Sequence, residues 1–308
     1  MNIKLIFSLV LLINASCTSQ KRTIEAEENL KVYDIGTKQL QLLNQFRDFC
    51  TIERNEVLID SIYLPNLALW NGLLGDESSF IKWLNEKGIQ QLDNWNAKSK
   101  NINPNYLAHR ILETAIEMHQ LTGYFAKGNW YIFYGPSWAN LGGLDEATMF
   151  IDLAHYANNN ADTIVWLFPH ELNHQIYSNT LKQKENIVLD RIIDEGFATY
   201  VSYKYHGKKY SIAEELMYSV DDYKFCVNNE IRLLDLLKDN YYKQDELLSR
   251  KFASRGYKFE EDYPSAIGYY LGFRIVEEFV KRNGKDSWKE IYTLSPREVL
   301  KKSEILEH

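Results

Sequence analysis

His170-Glu171-Leu172-Asn173-His174 constrains this chain more than any other stretch. Four residues are about one turn of an α-helix, so a helical register puts both imidazoles on nearly one face, where they can grip one ion. Glu171, beside the first histidine, is then aimed at the remaining coordination position, where zinc lowers the pKa of water to roughly 7. A carboxylate in that place can take the proton of a water attacking a carbonyl. Chance produces such a match in roughly one of a hundred chains of this composition.

A tetrahedral site needs a third protein ligand, and it must come from another element approaching the first helix. Residues 189–200 read as a second amphipathic helix carrying Asp190, Asp194 and Glu195. The 20 residues between His174 and Glu195 suffice to finish one helix, turn and run a second one back. Glu195 is therefore the expected partner of His170 and His174, and Zn2+ is the ion expected from that ligand set. Asp194 and Asp190 are the nearest carboxylates that could orient a ligand imidazole, although a solvated helix face explains either one equally well. His155, His109, His119 and His206 lack paired spacing and are expected to be structural.

The pattern resembles the glutamate-zincins, or gluzincins, whose third ligand is a glutamate from the following helix. Asp194-Glu195-Gly196-Phe197-Ala198-Thr199-Tyr200 looks like the Asn-Glu-Gly-x-x-x-Tyr stretch of zinc aminopeptidases, with a longer spacing from the histidines. A closer resemblance adds two segments, residues 142–153 (Gly-Gly-Leu-Asp-Glu-Ala-Thr-Met-Phe-Ile-Asp-Leu) and 268–277 (Gly-Tyr-Tyr-Leu-Gly-Phe-Arg-Ile-Val-Glu). With the metal motif they resemble the YjaZ-type predicted zinc-dependent proteases, a domain family of unknown function related to the gliding-motility lipoproteins of Bacteroidetes. The resemblance covers roughly residues 100–300. It implies a zincin-like fold and a metallopeptidase with Glu171 as general base, but names no substrate. Such enzymes also need a donor for the tetrahedral oxyanion. Tyr269 is the expected one, with Tyr270 and Tyr200 behind it, against a plain core position for each.

The amino terminus points outside the cytoplasm. Lys4 precedes an apolar run over residues 5–13 and then Asn14-Ala15-Ser16-Cys17, as a secretory signal requires. The run is too short to span a membrane, which takes about 20 residues. Ala15-Ser16-Cys17 resembles a lipobox, so residues 1–16 are expected to be removed and Cys17 lipidated; cleavage after Ser19 is the alternative. Residues 17–30 are then a tether, and by resemblance to outer-membrane lipoproteins Thr18 favours that membrane. Residues 31–308 form the metallopeptidase domain, with a helical part over 31–125 and a catalytic part over 126–308.

Charge and cysteines narrow the partners. The net charge is −7 and no basic run offsets it, which argues against nucleic acid. A peptide or protein substrate and the membrane, through the lipid, are the expected partners. The 21 tyrosines and 7 tryptophans suit a substrate groove or a large core. Cys50 and Cys226 form an even pair that could be one disulfide or two buried thiols.

Apolar spacing predicts helices over 37–49, 104–121, 211–237, 265–282 and 296–302. Residues 130–134 and 148–153 read as strands, the second expected at a sheet edge beside the motif helix, where zincins lay an extended substrate. The fold class is α+β, dominated by helix. The function expected is an envelope zinc metallopeptidase. Its alternatives are a noncatalytic envelope lipoprotein that kept the fold as a binding module, and a zinc hydrolase of non-peptide amides.

Overall fold

The computed structural model describes residues 26, 28–181, 184–185, 187–207 and 209–307. The signal segment, Cys17 and most of the tether lie outside the described residues, and the tether's last residue, Leu30, already belongs to a strand. The fold is α+β and mostly helical, with one small sheet. It divides into two compact units, and the division falls between Phe168 and Pro169, inside a helix.

The first unit holds the sheet, built from β1 (Leu30–Asp34), β2 (Gly128–Phe133), β3 (Leu141–Gly143) and β4 (Thr148–Asp152) in the order β1-β2-β4-β3. β2 runs parallel to both β1 and β4, and β3 is antiparallel to β4. Tyr33 and Tyr131 are register partners and stack at 5.0 Å across the first pair. β4 is not an edge: β2 pairs it along its length and β3 covers residues 149–151. The three-residue β3 takes the edge instead, and β4 reads accordingly as a nearly continuous buried run.

Among the described residues the α-helices that accompany the sheet include α1 (Gly36–Gln45), α2 (Thr51–Leu58), α3 (Leu67–Leu74), α4 (Glu77–Trp83), α5 (Ile89–Ser99) and α6 (Pro104–Thr122). Asn103 caps α6 and Pro104 opens it, as its sequence signals, and Gly123 ends it in the left-handed region. Trp70 binds the layers together, meeting Phe80 at 4.9 Å, Phe133 at 5.2 Å and Trp83 at 5.6 Å. Such ring pairs add about 0.5–1.5 kcal/mol each beyond area burial. Here the aromatic surplus builds core. The buried Gln39 ties α1 to the end of β2, donating to the Tyr134 carbonyl at 3.0 Å and accepting its amide at 2.9 Å.

The metal motif lies on α7 (Ala161–Thr180), which carries Pro169 in its interior. Proline lacks the amide that would bond the carbonyl one turn back, so the helix gives up one ladder bond immediately before His170.

In the second unit α8 (Val188–Tyr205) is buried on every side over residues 195–202, as only a central helix is. Its first amides have no side-chain cap; Val188 and Leu189 donate instead to the carbonyls of Lys243 and Tyr241, both at 3.0 Å. Around it lie α9 (Ile212–Glu215), α10 (Val220–Asn228), α11 (Glu230–Lys238), α12 (Glu246–Ala253), α13 (Ile267–Asn283) and α14 (Pro296–Ser303). The single helix expected over 211–237 is thus three. Ser211 forms a capping box with Glu214, Met217 turns to a φ of 51°, and Ser219 caps the next start.

α8 and α13 cross where Gly196 meets Gly272. A Cβ added at Gly272 would stand 2.0 Å from the Ile192 carbonyl oxygen, and one at Gly196 would stand 2.1 Å from the Gly272 carbonyl carbon. Backbone packs directly on backbone there, which no other residue type allows. Cys226 is buried and Cys50 exposed, both as free thiols, so Cys50 is not the buried residue the sequence suggests.

Candidate metal centre

One face of α7 and the middle of α8 bring His170, His174 and Glu195 together as a group able to hold a metal ion. The Nε2 atoms of the two histidines are 3.1 Å apart, and Glu195 Oε2 is 3.4 Å from His170 Nε2 and 3.3 Å from His174 Nε2. Donors held tetrahedrally at about 2.0–2.1 Å from one ion stand about 3.3–3.4 Å from each other. The two sides to Glu195 match that edge, and the side between the two imidazoles is about 0.2 Å shorter. His170 and Glu195 are buried, and Glu195 Oε2 has no hydrogen-bond donor of its own. A buried carboxylate oxygen with two ring nitrogens facing it, and no donor, is what a cation would satisfy.

Asp194, the neighbour of Glu195, meets the far side of His174: its Oδ1 stands 2.8 Å from Nδ1. A carboxylate there fixes the tautomer that leaves Nε2 free to ligate. Asp190 has a different task, accepting the Glu185 amide at 2.8 Å. Of the two carboxylates proposed from sequence, only Asp194 touches a ligand ring. Asp194→Ala is accordingly expected to weaken zinc binding by about 10–100-fold, read by competition with a chromophoric chelator. Equal affinities in Asp194→Ala and Asp190→Ala would remove Asp194 from the centre.

The charges follow from this packing. Burial opposes the His174 imidazolium, but the Asp194 and Glu195 carboxylates outweigh it and raise its pKa well above the usual value. Burial likewise pushes Glu195 up, and the two imidazoles overcome it, leaving Glu195 well below the ordinary range. Arg191 adds a cation 3.8 Å from the other Glu195 oxygen. For Glu171 the balance falls the other way. Enclosure pushes its carboxyl up, His170 and His174 pull it back, and Glu195 and Asp194 push it up again. Glu171 is thus electrostatically coupled to every charged group of the centre, though it is not one of the three converging donors.

Tyr269, on the first turn of α13, reaches the same place. Its ring lies parallel to that of His170, with centroids 6.0 Å apart, and it is close enough to Glu195 to feel that carboxylate's charge. Burial and the Glu195 charge hold its pKa well above 10, so it remains a donor at neutral pH. The other two tyrosines are elsewhere. Tyr270 is buried and donates to Glu230 at 3.1 Å, and Tyr200 packs on Phe273 at 5.6 Å.

The other histidines among the described residues stay apart from the three donors. His109 pairs with Glu113 at 3.3 Å, His119 stacks on Phe125, His155 accepts the Ala157 amide, and His206 bonds Glu215 at 2.7 Å. Asn173, inside the motif, went unremarked in the sequence. It is fully buried, and its Oδ1 accepts the Tyr292 hydroxyl at 2.5 Å, so the flank of α7 beside the ligands is tied to the core. The only sequence signal for it was a polar residue one position before a ligand.

A family model described as "Predicted Zn-dependent protease (DUF2268)" matches residues 138–301, more than half of the 308-residue chain, and spans the three donors, Glu171, Asp194 and Tyr269. No curated protein matches the chain. The zinc dependence in that description and the donor triangle agree on the cofactor, Zn2+. The chain belongs to this family of predicted Zn-dependent proteases.

Proposed function

We propose that this protein is a zinc metallopeptidase of the cell envelope, lipidated at Cys17, that hydrolyses peptide bonds. The observation that carries the reading is the His170–His174–Glu195 triangle with Glu171 coupled to it. His170, His174 and Glu195 would hold the ion, which supplies a Lewis acid that polarises a carbonyl oxygen and acidifies water. Asp194 holds the His174 ring in its ligating tautomer. Glu171 takes the proton of the attacking water and passes it to the leaving amine, a task helped by a carboxyl pKa raised from its ordinary value. Tyr269, protonated beside Glu195, is the donor for the oxygen on which negative charge develops. A module that only binds a partner would need the triangle for stability but has no use for Glu171 beside it. The envelope location rests on the charged, apolar and lipobox-like segments at residues 1–17.

The test is zinc analysis of the purified full chain, together with mass spectrometry of a mixed peptide library before and after incubation. About one zinc per chain and new termini within the peptides are expected. Zinc without new termini would move the reading to the binding module.

A further inference from the structure

Arg255 stands out by its partners. Every other arginine among the described residues has a carboxylate partner, except the buried Arg54, which bonds Asn85. Arg255 is exposed and has only neutral ones. Its Nη2 donates to the Leu216 carbonyl at 2.8 Å and its Nη1 to the Met217 carbonyl at 3.2 Å. The guanidinium carbon lies over two rings, 4.9 Å from the Tyr269 centroid and 6.0 Å from that of Tyr218. The Tyr218 hydroxyl is itself fixed to the Ala266 carbonyl at 2.6 Å, at the start of α13. A cation held at two carbonyls and two aromatic faces is immobilised, yet most of its N–H donors remain unused.

The position matters as much as the charge. The Tyr269 ring lies parallel to that of the ligand His170, so Arg255 stands on a ring that borders the metal centre. Capping the two carbonyls explains the hydrogen bonds but not the permanent charge, which a neutral donor would spare. A planar guanidinium fork matches one ligand chemistry best, a carboxylate taken through paired N–H donors.

We infer that Arg255 receives a carboxylate of the bound peptide, either the C-terminal α-carboxylate or an acidic side chain, and so sets the substrate class of this centre. The inference rests on the peptidase reading for the identity of its ligand. Its test uses binding rather than turnover. The full chain carrying Glu171→Gln, loaded with zinc, is mixed with a randomised N-acetylated hexapeptide pool made once as C-terminal acids and once as C-terminal amides. Peptides retained after rapid gel filtration are identified by mass spectrometry.

A C-terminal source predicts that acids are retained about tenfold over amides. A side-chain source predicts that, within the amide pool, aspartate and glutamate are enriched about tenfold over asparagine and glutamine. Either preference should fall to within about twofold when Arg255→Met is added, with zinc content and melting temperature confirming the folded protein. If that variant fails to fold, Arg255→Lys keeps the charge, loses the planar fork, and should cut the preference at least about threefold. A preference that survives these changes overturns the inference. So does equal retention, or none, in the protein with Arg255 intact. Wild-type turnover is scored separately: a chain that cleaves nothing but keeps the Arg255-dependent preference refutes the peptidase reading alone.

Discussion

Glu171→Gln should abolish hydrolysis and leave the zinc in place, whereas Glu195→Ala should release the zinc. Glutamine copies the shape of Glu171 and keeps the α7 backbone, but it cannot accept a proton. Loss of a positioned base lowers turnover by about 10²–10⁴-fold, or roughly 3–5 kcal/mol of barrier. Stability should not suffer, because enclosure already disfavours the Glu171 charge and a neutral amide removes that penalty. Glu195→Ala acts on the other side of the centre. It deletes one corner of the triangle and leaves two imidazoles whose Nε2 atoms are 3.1 Å apart, with no carboxylate against them. Zinc affinity should fall by at least about 100-fold, since a ligand matters no less than the carboxylate that orients one. Metal analysis after dialysis and steady-state turnover on a cleaved library peptide read both effects. Wild-type turnover in Glu171→Gln would remove Glu171 as the base, and unchanged zinc affinity in Glu195→Ala would sink the ligand set.

The centre was legible because its chemistry is local. Two histidines one turn apart declare a shared helix face, and the chain to Glu195 is long enough for only a simple return. What stayed hidden depended on phase between elements. Asp190 and Asp194 occupy the same helix face one turn apart, and only the 2.8 Å contact to His174 separates the orienting carboxylate from the loop cap. The strand β1 was missed, since its partner β2 lies far along the chain and a parallel pairing leaves no turn signature. β4 read as an edge because nothing marks Leu141–Gly143 as a strand, three residues with two glycines. The break in 211–237 was half visible. Ser211 and Ser219 are ordinary cap residues, but a methionine at a φ of 51° has no sequence signal. The cysteines showed the same limit, for an even count says nothing of burial or distance.

Gly272→Ala should be, with Gly196→Ala, among the most damaging single-methyl changes in the second unit. The segment around it was recognisable only as a repeated glycine, and its reason lies across the helix crossing. The new Cβ would come within 2.0 Å of the Ile192 carbonyl oxygen and 2.8 Å of the Gly196 Cα, both backbone atoms that cannot rotate away. Relief requires α8 and α13 to separate. Overpacking typically costs about 1–3 kcal/mol, and clashes with backbone on both sides of the crossing put this case at or beyond that upper end. For a domain this large, about 3 kcal/mol lowers the melting temperature by roughly 6–12 °C. The site should suffer too, because Glu195 adjoins Gly196 on α8 and Tyr269 precedes Gly272 by less than a turn on α13. Zinc affinity should therefore drop even at temperatures where the variant is folded. Gly256→Ala is the control: nothing lies within 4 Å of its added Cβ, and its melting temperature should stay close to the wild type. A Gly272→Ala protein melting with the control, with full zinc affinity, would show that the crossing is not what holds Glu195 and Tyr269 in register.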